Sequence, residues 1–170
     1  MIFVTVGTHE QPFNRLIEAV DNLCETGVIN EPVIMQTGFS TYEPKHCEWH
    51  KLLPYDQMKE NVTKARIVIT HGGPASFIMP LQIGKIPIVV PRQLQFNEHV
   101  NNHQVDFTKA VAEHMGNIIP VYDIAQLGKV VQCYDELIDS MQNNDLRTNN
   151  AQFNSALEKI VERMFVREGE

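Results

Sequence analysis

Three short stretches concentrate the residue types that bind polar ligands: Gly7-Thr8-His9, then His71-Gly72-Gly73-Pro74-Ala75-Ser76, then Arg92-Gln93-Leu94-Gln95-Phe96-Asn97-Glu98-His99. In the second, paired glycines let a ligand approach the backbone, and a helix starting there points free N–H groups outward, which makes an anion site. It is neither a Walker loop nor a dinucleotide fingerprint, because G-x-x-x-x-G-K-[ST] and G-x-G-x-x-G are both absent. The same residues also fit a plain strand-to-helix turn capped by Ser76, and local chemistry leaves both readings open. In the third stretch the Arg92 guanidinium suits phosphate, while Glu98, Asn101 and Asn102 at a helix start suit hydroxyls. The plainer reading is a solvated helix start with Glu98 favoured by the helix dipole. His99 and His103 share a helical face, but H-V-N-N-H lacks the Glu of a zincin, and His46, Cys47 and His50 read as surface or satisfied residues. No metal is expected. A nucleophilic hydrolase is disfavoured, since no G-x-S-x-G occurs.

Each stretch follows an apolar run. Ile2 to Val6 reads as a strand buried on both faces, and Phe13, Leu16, Ile17, Val20 and Leu23 follow at helical spacing after Pro12. Pro32 to Gln36 makes a second strand, His46 to Lys51 a third, and a short helix from Pro54 shares Met58, Val62 and Ala65 on one face. Arg66 to Thr70 is a strand, Ala75 to Ile83 a helix in which Pro80 predicts a kink or early break, and Pro87 to Val90 another strand. The spacing then predicts a helix over Glu98 to Met115, a strand over Ile118 to Val121, and two closing helices, Asp123 to Met141 and Asn150 to Val166. Strands alternating with helices argue for α/β: a Rossmann-like, open, mostly parallel sheet with helices on both faces. In such a sheet the three polar stretches fall at the carboxyl ends of strands, where ligands bind.

The chain has 170 residues, 43% of them hydrophobic and 21% charged, the size and composition of a single domain (1–170), with 123–170 a helical pair. A net charge of −7 gives no basic footprint, so nucleic acid is not an expected partner. Three widely spaced cysteines suggest a reducing cytoplasm. The apolar opening lacks the form of a signal peptide, and no run approaches a membrane span.

Taken together, Thr70-His71-Gly72-Gly73-Pro74-Ala75-Ser76, Gly84-Lys85-Ile86-Pro87-Ile88-Val89-Val90-Pro91-Arg92 and Phe96-Asn97-Glu98-His99-Val100-Asn101-Asn102-His103-Gln104 resemble, in order and spacing, the donor-binding half of family 28 glycosyltransferases. The opening Phe3-Val4-Thr5-Val6-Gly7-Thr8 with Pro12-Phe13 is similar to the small catalytic subunit of the split, two-chain members. Those include the dolichol-pathway N-acetylglucosaminyltransferase and the bacterial capsular or exopolysaccharide β-1,4-galactosyltransferases, and G-G-P and V-P-R-Q look closer to the bacterial branch. The resemblance runs from Met1 to about Met115. It implies one half of a GT-B fold, a UDP-sugar donor (UDP-galactose first, UDP-N-acetylglucosamine second), and inverting transfer to a polyprenyl-diphosphate-linked sugar. It also implies a membrane-anchored partner that supplies the acceptor domain and holds this chain at the inner, cytoplasmic face. No cofactor is implied: helix dipole and backbone N–H groups stabilise the departing diphosphate, and no D-x-D pair is present.

Carried onto this sequence, the resemblance makes Gly7, Thr8, His71, Gly72, Gly73, Pro74, Ala75, Ser76, Arg92, Gln93, Glu98, His99 and Asn102 donor-binding. It places uracil near Leu52, Leu53 and Pro54. Relatives carry a Glu for the ribose hydroxyls three residues after the Ser; here Met79 stands there, which leaves Glu98 to assume that role. His9 is the in-chain candidate for the base that deprotonates the acceptor, since it follows the first strand and an imidazole suits proton transfer near neutral pH. Equally, His9 caps a helix or faces solvent, and the base sits on the partner. Two rival readings are a noncatalytic nucleotide-sugar-binding or regulatory subunit and a sugar-nucleotide epimerase, the latter needing a second domain for its carboxylates.

Overall fold

In a computed structural model the described residues are 1–143. Six short strands form one sheet: β1 (Ile2–Thr5), β2 (Val33–Gln36), β3 (Glu48–His50), β4 (Ile67–His71), β5 (Ile88–Val90) and β6 (Ile119–Pro120). Every pairing is parallel and the spatial order is β3-β2-β1-β4-β5-β6. The chain thus winds outward from β1 through β2 to β3, then returns to the other side of β1 with β4. A crevice opens where the winding reverses, between the carboxyl ends of β1 and β4.

The crossovers are α1 (Asn14–Glu25), α2 (Tyr55–Lys64), α3 (Pro74–Gln82) and α4 (His103–Met115), followed by α5 (Leu127–Gln132) and α6 (Tyr134–Asn143). Strand alternation sorts them onto two faces. Ile2 and Val4 of β1 pack with Leu16, Ile17 and Val20 of α1, and with Leu127, Val131 and Tyr134 beyond it. Phe3, one residue out of phase, packs with Val62 of α2 and Val68 of β4 on the opposite face. There Phe77 and Leu81 of α3 meet Val89 of β5 and Val111 of α4. Each of these fully buried side chains contributes about 1.5–3 kcal/mol of transfer free energy, so the sheet is held from both sides, as the uninterrupted apolar strands predict.

Several boundaries differ from the sequence expectation. The helix expected from Glu98 starts at His103, because Asn97 takes the left-handed conformation (φ 56°) after a 3-10 turn at Leu94–Phe96, and Glu98 is drawn inward. The helix expected over Asp123 to Met141 is a 3-10 turn (Ile124–Gln126), then α5, then α6, with a break at Cys133. The last strand shortens to Ile119–Pro120. α3 runs through Pro80 and stops two residues later. The helix expected over Asn150 to Val166 lies outside the described residues.

Candidate functional site

A cavity of about 850 Å³ occupies the crevice at the reversal point, lined by Thr5 and Gly7 from β1 and its turn, Gln36 from β2, Leu53, and His71 and Ser76 around β4. Its floor is dictated by two glycines and one histidine. Gly7 adopts φ +72°, and a Cβ there or on Gly73 would collide with the His71 ring. The imidazole therefore lies between two turns that only glycine lets approach it. Gly72 is equally constrained on the other side, since a Cβ would stand 2.9 Å from Thr108 Oγ1 of α4. His71 is 8% exposed and its Nδ1 has no partner. Burial, with the Arg92 charge adding to it, pushes the His71 pKa down to about 4, so the ring is neutral near pH 7.

Directly after Gly73, Pro74 opens α3 with no N–H of its own, and no side chain caps the helix. The positive end of the helix dipole is left toward the cavity, which Ala75 and Ser76 line. Ser76 does not cap, contrary to the plainer of the two turn readings; its backbone N–H reaches Gly73 O at 3.0 Å. Thr8 and His9 also line the cavity. The His9 ring stacks on His99 with centroids 4.7 Å apart, and its Nε2 meets Gln11 Oε1 at 2.9 Å. His99 Nδ1 has no partner, and burial and the neighbouring His9 lower its pKa.

The turn after β5 is used differently. Arg92, expected to face a phosphate, is fully buried: Nη1 donates to Gln11 O (2.7 Å) and Glu98 O (3.1 Å), Nη2 to Val6 O (2.9 Å), and the guanidinium lies 4.8 Å from the Phe13 ring. Glu98, expected to hold sugar or ribose hydroxyls, is 3% exposed and takes Arg15 Nε and Nη2 at 2.8 Å each, besides the Gln93 N–H at 3.0 Å. Gln93 donates to Tyr122 O, and Asn102 accepts from the Leu94 N–H at 2.9 Å. Arg92, Gln93 and Glu98 are buried and turn polar groups toward the protein, because polar groups carried into the interior need partners, whereas Asn102 is exposed. Arg92, through Val6 O and Gln11 O, braces the β1 turn from behind.

Sequence reasoning missed Arg15, whose partner Glu98 lies 83 residues away and leaves no local signal. It also missed Gln36, which is buried, lines the cavity and accepts the Leu53 N–H at 3.2 Å. Its position at the end of β2 was the available clue. Of the three residues expected around a uracil, Leu53 lines the cavity, Leu52 is half exposed and Pro54 precedes α2. Met79 lines the cavity too, with no carboxylate in the place of the relatives' Glu. Among the described residues no three His, Cys, Asp or Glu side chains gather as a metal site, and no helix is long and apolar enough to cross a membrane.

Residues 1–164 match the glycosyltransferase family 28 C-terminal domain. The chain belongs to that family. A human relative of this family 28 domain, the UDP-N-acetylglucosamine transferase subunit ALG13, is 36% identical over 118 residues, covering 64% of this chain and 10% of the human protein. Two solved structures share its fold at 16% identity. The glycosyltransferase of kitacinnamycin superposes with a TM-score of 0.60 over 93% of this chain and 39% of that one. The glycosyltransferase SnogD from Streptomyces nogalater gives 0.56 over 95% and 42%. The family 28 domain thus has a Rossmann-like fold, one half of the GT-B kind, and spans about two fifths of each solved relative.

Proposed function

We propose that this chain is the donor-binding subunit of a glycosyltransferase that takes a UDP-hexose into the cavity between the β1 and β4 turns. The observation that carries the reading is the neutral His71 ring held between Gly7 and Gly73 beside the uncapped start of α3, in a chain of this family. Backbone and helix dipole at Gly73 to Ser76 receive the diphosphate, and Leu53 with the backbone around it receives the uracil. The acceptor hydroxyl attacks the anomeric carbon from the face opposite UDP. The bond from that carbon to the diphosphate oxygen breaks, UDP leaves with the electron pair, and the hydroxyl proton passes to a base, for which His9 at the cavity wall is the in-chain candidate.

The acceptor is a polyprenyl-diphosphate-linked sugar, and a membrane-anchored partner presents it at the inner face. Exposed Tyr55 and Leu52 on one side of the carboxyl edge, and Leu94, Phe96 and Val100 on the other, support a rim that a second domain covers. UDP-galactose is the first donor, as in the bacterial exopolysaccharide and capsule enzymes that the sequence resembles. UDP-N-acetylglucosamine is the second reading, and the human relative's name favours it.

Calorimetric titration with UDP and ADP tests the nucleotide reading, with UDP binding and ADP weaker as the expected result. Equal or absent binding overturns it. Co-expression with the adjacent gene product, followed by assay with both UDP-sugars and a lipid-linked acceptor, tests transfer. Full activity of the isolated chain contradicts the split arrangement, and an inactive reconstituted pair favours a passive binding subunit.

A further inference from the structure

Behind the β1 turn the fold sets two guanidinium groups, Arg92 fully buried and Arg15 partly so, against one buried carboxylate. Arg15 is matched to Glu98 by paired 2.8 Å bonds. Arg92, with no exposed surface, bonds only to carbonyl oxygens, so its charge has no carboxylate of its own. The cluster therefore retains one net positive charge. An apolar side chain could fill the same space without the cost of desolvating a cation. Two contacts tie the charge to the cavity wall: Arg92 Nη2 holds Val6 O, next to the cavity-lining Gly7, and the Arg92 N–H is held at 3.1 Å by Gln104, which also lines the cavity. Burial first and the Arg92 charge second lower the His71 pKa, in keeping with a positive charge close to that wall. Buried charge is poorly screened by salt and acts over several ångströms.

We propose that the Arg92–Arg15–Glu98 cluster, without touching the ligand, gives the cavity its preference for a diphosphate over an uncharged ligand, with Arg92 the positioning residue that also fixes the β1 turn. The inference rests on the nucleotide reading of the cavity for its natural ligand, and on charge alone for its sign.

The test compares UDP, uridine and inorganic pyrophosphate by titration against the full chain, Arg92→Gln and Glu98→Gln. Removing the positive charge in Arg92→Gln is expected to weaken UDP and pyrophosphate by roughly tenfold and to leave uridine nearly unchanged. Removing the negative charge in Glu98→Gln, whose one amide oxygen can still accept from Gln93 N–H and Arg15 Nη2 while the bond from Arg15 Nε is lost, is expected to strengthen both anions several-fold. That opposite sign is what a purely structural role cannot produce, and it stands if Arg92→Gln fails to fold. An unchanged ratio of UDP to uridine affinity in Glu98→Gln, or equal weakening of both, overturns the proposal while leaving UDP binding by the parent chain intact. Pyrophosphate affinity that follows the cluster charge in a chain that ignores UDP upholds it and removes the nucleotide reading instead. Binding of neither anion overturns both.

Discussion

After β4 the chain passes from His71 through two glycines straight into α3, leaving His71 Nδ1 without a partner and the helix start uncapped. After β5 it makes a 3-10 turn, an Asn97 left-handed turn and a further bend before α4, and Arg92, Gln93, Glu98 and Asn102 each bond to the protein, while Arg92 Nε and His99 Nδ1 have no partner. Both turns are polar and both follow a buried parallel strand. What separates them is side-chain length against available backbone. Glycine and a short helix entry leave the uncapped start of α3 toward the cavity, whereas long side chains on an extended turn fold back to bond neighbouring carbonyls. The first turn lines the cavity, and the second braces the turn after β1.

The largest expected effect comes from breaking the brace. Arg92→Ala removes the donors of the Val6, Gln11 and Glu98 carbonyls, and leaving buried acceptors without a donor costs about 1–3 kcal/mol each, so a loss above about 3 kcal/mol is expected. Chemical denaturation reads this directly; a loss below about 1 kcal/mol would show that the buried guanidinium does not hold the turn. Next is the pH response of the open turn. The folded His71 pKa of about 4 lies below the ordinary value of 6.5, so its stabilising contribution is complete above pH 6.5 and is lost as the pH falls toward 4. The loss amounts to about 3 kcal/mol. Urea denaturation of the parent chain and His71→Gln between those pH values is expected to converge at the acid end, and parallel curves would contradict a buried neutral ring.

Glu98→Ala is expected to cost about 2 kcal/mol of stability, since Arg15 and the Gln93 N–H lose their shared acceptor. UDP affinity in the folded variant is expected to hold or rise. Weaker UDP binding at unchanged stability would move Glu98 from the brace to the ligand. The smallest effect on folding is at Ser76, whose side chain caps nothing: Ser76→Ala is expected to shift stability by less than about 0.5 kcal/mol while reducing UDP affinity a few-fold. A melting shift without a change in affinity would reverse its assignment.

The same contrast explains what the sequence could reveal. Parallel strands buried on both faces announce themselves as unbroken apolar runs, so Ile2 to Val6 and Pro87 to Val90 placed the sheet and, with it, the edge where the cavity lies. The glycine turns were legible because Gly, Pro and Ser types state a backbone requirement locally. The bracing turn was not. Whether Glu98 faces a sugar or Arg15 depends on a residue in another helix, and the sequence holds no local mark of that pairing. Gln36 was overlooked for a related reason, since its role follows from the reversal between β1 and β4, a property of strand order rather than of any one segment.

The most direct measurement is the amide chemical-shift response of the isotopically labelled chain to UDP. The account predicts that the largest perturbations fall on Gly7, Thr8, Gly72, Gly73, Ala75 and Ser76, with Leu53 next and the segment from Asn97 to Asn102 shifting little. Perturbations concentrated at Asn97 to Asn102, or spread without preference between the two turns, would contradict it.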